Sequence, residues 1–287
     1  MIKLVECPRD AMQGIRGFIP TEHKVELMKS LLHCGFDTLD CGSFVNPSAV
    51  PQMADTADVI EHIGDLAQQT GTELLVIAAN ERGAVRSSAF SAIKYIGFPF
   101  SINETFQRRN TNCDRNNAFI TLQKIHNIGQ AAGKETVAYI SMAFGNPYGE
   151  EYNTNEVIEW AHRIAGLGIN TISLADTVGS ANETDIAYLF SELSAKLPHI
   201  EWGAHFHSLP GRWVSKVDAA YQNGCRRFDG ALLGFGGCPF AKDHLTGNIP
   251  TEEMVAWFNK KLPTGIDESR LQESLQLAAR VFNPVNG

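Results

Sequence analysis

The stretch Leu167-Gly168-Ile169-Asn170-Thr171-Ile172 reads as a helix end, a glycine turn and the opening of a strand. The same unit stands at Cys34-Gly35-Phe36-Asp37-Thr38-Leu39 and again at Asn223-Gly224-Cys225-Arg226-Arg227-Phe228. Glycine suits such a junction because it tolerates positive φ, so it caps one helix and turns the chain within a residue. Outward from these units, short apolar and β-branched runs lie at Ile2–Glu6, Thr38–Cys41, Glu73–Ala79, Ile93–Phe98, Thr136–Met142, Thr171–Ala175, Trp202–His207 and Arg227–Leu232. Amphipathic patterns separate them. In Thr21–Cys34, Val25, Met28, Leu31 and Leu32 recur at helical spacing, and Glu156–Leu167 reads the same way. Strands alternating with helices predict a parallel sheet covered by helices. Eight such units, with no break in composition to mark a linker, predict an α/β fold of the (β/α)8 TIM-barrel type, a single domain over 1–287. The last helix of the barrel is expected near Glu252–Lys261, and an extra C-terminal helix over Asp267–Phe282 is expected to pack outside.

Composition narrows the function. Of the residues, 44% are hydrophobic and 20% charged, ordinary globular values, and barrels of this type run to about 250 residues as one unit. A net charge of -8 argues against a nucleic-acid binder, which needs a basic face to replace counterions along phosphates. The six cysteines (Cys7, Cys34, Cys41, Cys113, Cys225, Cys238) are scattered with no CxxC pair, as in a reduced compartment. The first residues enter a strand at once, and no apolar run approaches the ~18–20 residues that cross a bilayer. A soluble, cytoplasmic protein with no membrane contact is expected.

Active sites of parallel barrels form at the C-terminal ends of the strands. On the strand assignment above, Arg9 and Asp10 follow the first strand, Asp40 closes the second, and Asp176 follows the sixth. His205 and His207 close the seventh, and Cys238 and Asn248 lie in the glycine-rich loop after the eighth. The triplet His205-Phe206-His207 is the most informative, because residues two apart on a strand face the same way and two imidazoles can share one cation. The plain alternative is a pair of hydrogen-bonded histidines at a strand end. Asp10 at another strand end supplies a third ligand, and such a set with open positions suits Mg²⁺, Mn²⁺ or Zn²⁺. Arg9 reads either as a surface ion pair or as a donor aimed at charge developing on a substrate oxygen. Asp40 ends an apolar strand, where a carboxylate is costly unless paired. Asp176 reads equally as a helix cap, an Asx turn or a functional group. In Gly234-Phe235-Gly236-Gly237-Cys238-Pro239 the glycines allow loop movement, so the Cys238 thiol can swing in as a proton donor; a small buried hydrophobe is the plainer reading.

Those residues, in that order, resemble the 3-hydroxy-3-methylglutaryl-CoA lyases, a family of barrel metallolyases. The likeness runs through Val5-Glu6-Cys7-Pro8-Arg9-Asp10-Ala11-Met12-Gln13, Ser43-Phe44-Val45-Asn46-Pro47 and Val50-Pro51-Gln52-Met53. It continues through Asn80-Glu81-Arg82-Gly83, Ser101-Ile102-Asn103-Glu104-Thr105-Phe106, Ser141-Met142-Ala143-Phe144-Gly145-Asn146-Pro147-Tyr148 and Ser173-Leu174-Ala175-Asp176-Thr177-Val178-Gly179, and ends in the glycine loop with Cys238. The resemblance implies metal ligands Asp10, His205, His207 and Asn248, with Mg²⁺ or Mn²⁺ as cofactor. It implies that Arg9 stabilises a thioester enolate, that Cys238 is the mobile acid, and that Asp40, Asp176 and Gln13 complete the pocket. Arg16 would meet a phosphate of the acyl-CoA substrate, and His205 or Asp176 would take the proton of its tertiary hydroxyl. Acetyl-CoA and acetoacetate are the implied products, and a homodimer the implied assembly.

Four departures from the family pattern stand out. Cys7 and Ala11 replace glycines, Asp40 stands for Glu, Ser208 stands where an acidic residue follows the histidines, and the segment from Cys238 to Asn248 is one residue longer. The loss of the acid at 208 predicts a missing carboxylate behind the metal ligands. Two other readings remain at this stage: a Claisen synthase or aldolase of the same superfamily, and a non-catalytic barrel that binds a metal and an acyl-CoA.

Overall fold

The structure is a computed structural model, described over residues 2–237 and 246–283. Its first half runs β1 (Lys3–Glu6), α1 (Pro8–Gln13), α2 (Thr21–Leu32), β2 (Thr38–Ser43), α3 (Thr56–Thr70), β3 (Glu73–Ile77), α4 (Glu81–Ser88), β4 (Ile93–Ser101), α5 (Glu104–Thr111), α6 (Arg115–Ala131) and β5 (Glu135–Ser141). The second half runs α7 (Thr154–Ala165), β6 (Thr171–Asp176), α8 (Glu183–Lys196), β7 (Glu201–Ser208), α9 (Val214–Gln222), β8 (Arg227–Gly230), β9 (Gly247–Asn248), α10 (Thr251–Asn259) and α11 (Glu268–Phe282). Strands β1 to β8 pair in parallel with their sequence neighbours, and the β1–β8 pairing closes the ring. This is the expected (β/α)8 barrel, with α11 as the extra C-terminal helix packed on α2.

The glycine junctions behave as the sequence predicts. Gly35, Gly168 and Gly224 have φ of +89°, +90° and +104°, a region costly for any residue with a Cβ. At Gly35 there is a second reason, since an added Cβ would sit 3.0 Å from the Gly265 carbonyl oxygen on the approach to α11. Helix α2 itself stops at Leu32, two residues short of the expected end.

Two elements go beyond the sequence reading. Helix α1 begins directly after β1 with Pro8 at its first turn, where proline's fixed φ suits a helix start. Strand β9 pairs antiparallel with the end of β7, setting Asn248 opposite His207.

The main core lies between the sheet and the helices, with Leu4, Leu39, Leu74, Val76, Ile96, Ile140, Ile172 and Leu174 among its buried strand residues. A second, smaller cluster of Leu75, Ile77, Tyr95, Val137 and Tyr139 fills one side of the barrel interior. Gly97 leaves room for it, since a Cβ there would lie 2.6 Å from the Ile77 Cδ1. Across the barrel the interior turns polar. A Cβ on Gly203 would meet the Ser173 hydroxyl at 2.8 Å and the Arg227 side chain at 3.4 Å. No helix among the described residues is long and apolar enough to cross a membrane.

Candidate active site

Helix α1 sets three functional side chains on one short turn. Asp10 and Gln13 are three residues apart and Arg9 and Gln13 four, so their side chains meet. Gln13 Nε2 donates to Asp10 Oδ1 at 2.6 Å, and its Oε1 accepts from Arg9 Nη1 at 3.0 Å. Arg9 also donates through Nη1 to Asp10 Oδ1 at 2.9 Å, and through Nε and Nη2 to Asp40 Oδ2 at 3.0 Å and 2.5 Å. Asp40 is therefore buried and paired, as its place in an apolar strand required. Of the five N–H donors of the guanidinium, these contacts use four and leave one on Nη2. Burial works against the Arg9 charge, but Asp40 and Asp10 outweigh it and raise the Arg9 pKa above its ordinary value. Burial also opposes ionisation of Asp10, and Arg9 with the two histidines outweighs it, holding this carboxyl far below the usual carboxylate range.

The histidines are oriented through their Nδ1 atoms. His207 Nδ1 donates to the Thr177 carbonyl at 3.0 Å, and His205 Nδ1 donates to Asp229 Oδ2 at 3.0 Å. In each ring these bonds leave Nε2 over. His207 Nε2 is buried with no hydrogen-bond partner and lies 3.8 Å from Asp10 Oδ2. An unpartnered buried nitrogen facing a buried carboxylate is a donor set lacking its acceptor, and a divalent cation satisfies both at once. The ligand atoms of Asp10, His205 and His207 all lie within 4.8 Å of one another, so these residues fit a metal ion.

A second group, Cys7, His205 and Asp229, shares His205. Burial pushes the Cys7 thiol well above its ordinary pKa, helped by Asp229 and Asp40, and His205 Nδ1 is already spent on Asp229. The first group, whose ligand nitrogens are not spent on a carboxylate, is the candidate metal centre.

Asn248 sits against this centre. Its Nδ2 donates to Asp10 Oδ2 at 2.6 Å and to the Phe235 carbonyl at 2.9 Å, so the amide nitrogen faces Asp10. To act as a ligand, the carboxamide must turn its oxygen inward. The glycine loop presses on the same place. A Cβ on Gly236 would lie 2.6 Å from Asn248 Nδ2 and 2.8 Å from the Asp10 carbonyl oxygen. Close approach thus accounts for glycine here. Cys238 lies outside the described residues.

Asp176 ends β6 and is 1% exposed. It caps no helix: Asn182 caps α8, accepting from the Asp185 N–H. Asp176 Oδ2 instead accepts from Lys216 Nζ at 2.7 Å and from the Ala181 N–H at 3.1 Å, while Oδ1 is buried without a partner. Arg16 is exposed on the loop after α1, apart from the cluster.

The sequence reading missed Asp229 and Lys216. Asp229 corrects the expectation that Ser208 leaves the ligands without a supporting carboxylate: the support comes from β8, and the Ser208 hydroxyl donates to the Leu209 carbonyl. A signal was present, since Asp229 interrupts an apolar strand just as Asp40 does. Lys216 carried none, being one cation among many on a helix.

Residues 2–278 match the HMGL-like family. A 3-hydroxy-3-isohexenylglutaryl-CoA/hydroxymethylglutaryl-CoA lyase of Pseudomonas aeruginosa is 30% identical, over 100% of this chain and 94% of its own length. A hydroxymethylglutaryl-CoA lyase of Bacillus subtilis is 31% identical, over 86% of this chain and 81% of its own. Among solved structures, an HMG-CoA lyase from Acinetobacter baumannii in complex with coenzyme A and 3-methylmalate superposes with a TM-score of 0.90 at 30% identity, covering 100% of this chain and 93% of that one. Full-length similarity at this level, on a barrel whose strand ends gather the expected donors, fixes the relationship: the chain belongs to the HMGL-like family.

Proposed function

We propose that this chain is a divalent-metal-dependent carbon–carbon lyase that cleaves 3-hydroxy-3-methylglutaryl-CoA to acetyl-CoA and acetoacetate. The observation that carries the reading is the buried His207 Nε2, without a partner among the described residues, facing Asp10 Oδ2 across 3.8 Å. Asp10, His205 and His207 would hold the cation, and Asn248 would be its fourth ligand once its amide oxygen faces inward. Mg²⁺ or Mn²⁺ bound there supplies a Lewis acid that acidifies the tertiary hydroxyl of the substrate.

The chain's own groups then divide the proton work. His205 Nδ1 donates to Asp229, and with Nε2 on a cation the ring would have no lone pair left. With His205 so engaged, Asp176, whose Oδ1 has no partner among the described residues, would be the group to accept the hydroxyl proton. As the hydroxyl carbon becomes the ketone of acetoacetate, the adjacent carbon–carbon bond breaks and its electron pair passes to the thioester enolate. Arg9 donates to the enolate oxygen through Nη2, held in place by Asp40, Asp10 and Gln13. Cys238 protonates the enolate carbon to give acetyl-CoA, and Arg16 meets a phosphate of the coenzyme. The coenzyme A in the Acinetobacter baumannii complex supports an acyl-CoA substrate. A single-domain cytoplasmic homodimer is the setting that goes with this reading.

The test is incubation with 3-hydroxy-3-methylglutaryl-CoA plus Mg²⁺ or Mn²⁺, with and without chelator, and assay of acetoacetate. Metal-dependent release is expected, and no acetoacetate under any metal condition would overturn the assignment. Unchanged turnover in Cys238→Ser would remove the thiol from the mechanism.

A further inference from the structure

Lys216 projects from α9 and is 7% exposed. Its ammonium donates to Asp176 Oδ2 at 2.7 Å, to the Gly179 carbonyl at 2.8 Å and to the His207 carbonyl at 3.4 Å. An ammonium has three N–H donors, and all three are engaged. The acceptors come from two strand ends: Asp176 and Gly179 from the end of β6 and its following turn, His207 from the end of β7. The same β6 turn grips the ring of His207, since Thr177 supplies the carbonyl to which its Nδ1 donates. The backbone and the imidazole of one ligand are thus both referred to a turn that Lys216 locks. Buried lysines are costly unless paired, and this one is matched to one buried carboxylate rather than to solvent.

We propose that Lys216 is a positioning residue for the candidate metal centre, tying the Asp176 turn to the His207 backbone and so setting the direction of His207 Nε2. The inference rests on the reading of Asp10, His205 and His207 as metal ligands. It also gives Ser208 a context: where the family pattern puts an acid after the histidines, this chain orders the same strand end with a cation from the neighbouring helix.

The test uses the full-length protein and Mn²⁺ as probe, with binding followed by calorimetry and the bound ion by electron paramagnetic resonance. Four forms are compared: wild type, Lys216→Met, Asp176→Asn and the double variant. Lys216→Met alone strands a buried carboxylate, so it loses thermal stability whatever the role of the lysine. The double variant removes both charges and should regain stability. If Lys216 positions His207, the double variant still binds Mn²⁺ about 10–100-fold more weakly than Asp176→Asn, with a changed resonance spectrum. Equal Mn²⁺ affinity and identical spectra in those two forms would overturn the proposal and leave Lys216 as a charge partner only. Failure of the wild type to bind Mn²⁺ would instead sink the metal reading, and this proposal with it.

Discussion

The barrel interior has two unlike sides. On the β3–β5 side Leu75, Ile77, Tyr95, Val137 and Tyr139 pack on one another around Gly97. On the β7–β8–β1–β2 side stand His205, His207, Asp229, Asp10, Arg9 and Asp40, four of them buried, Arg9 and His205 partly so, and each tied to a named partner. The apolar side gains stability from area removed from water and is indifferent to direction. The polar side gains little net stability, because each charge pays for its desolvation, but it fixes where every donor points. One side supports the barrel wall, and the other directs the chemistry on the reading proposed above.

Exchanging residues on the two sides should separate these contributions. The largest effect is expected for Arg9→Gln. On the proposed reading it removes the donor to the enolate, so kcat should fall about 10²–10³-fold. It also leaves Asp40 buried without a partner, at about 3–5 kcal/mol of unfolding free energy. A kcat within a few-fold of wild type would mean that the polar side does not direct the reaction. Leu75→Ala on the opposite side should cost about 2–5 kcal/mol in denaturant unfolding, through lost packing and the cavity left behind. Its turnover at a temperature where both forms are folded should stay close to wild type. A loss of activity to match Arg9→Gln would erase the distinction between the sides.

Asp229→Asn probes the support behind the ligands. It should weaken Mn²⁺ binding about 10–100-fold in calorimetry, because His205 Nδ1 loses its charged acceptor. Unaltered affinity would reduce the His205–Asp229 bond to packing. A further test lies behind the wall, at Glu6, which accepts from the Leu232 N–H at 2.9 Å and from the Thr251 hydroxyl at 2.5 Å. Burial pushes its carboxyl up from 4.5 to about 8, against those two hydrogen bonds. The folded state then keeps this proton where the unfolded chain has lost it. The stabilisation is complete below pH 4.5 and is lost as pH rises towards about 8. The loss runs at up to about 1.4 kcal/mol per pH unit. Glu6→Gln should flatten the fall in stability between pH 6 and 8, seen as parallel denaturant midpoints; equal slopes in both proteins would rule the effect out.

The apolar side and the barrel itself were legible in the sequence because period and punctuation are local. Gly35, Gly168 and Gly224 announce their turns within six residues, and the apolar runs beside them mark the strands. His205 and His207 were legible for the same reason, since alternation on one strand puts both on one face. What escaped depends on pairing between distant segments. Strand β9 is two residues long, and only its partner β7 makes it a strand. Asp229 and Lys216 acquire their meaning from His205 and Asp176, 24 and 40 residues away in the chain. Helix α1 is six residues long and leaves no periodic trace, although Pro8 marked its first turn.

The contact between Asn248 and Asp10 joins residues 238 positions apart in the chain. During synthesis at the ribosome, Asp10 emerges early and must wait for almost the whole polypeptide before its neighbour arrives. The barrel ring is likewise open until β8 meets β1. A truncated product ending before β9 carries both histidines and Asp10 yet lacks the strand that sets Asn248 opposite His207. Long-range closure of this kind is slow and comes late. The Asn248–Asp10 contact is in this sense a signature of a finished chain, which partial translation products do not carry.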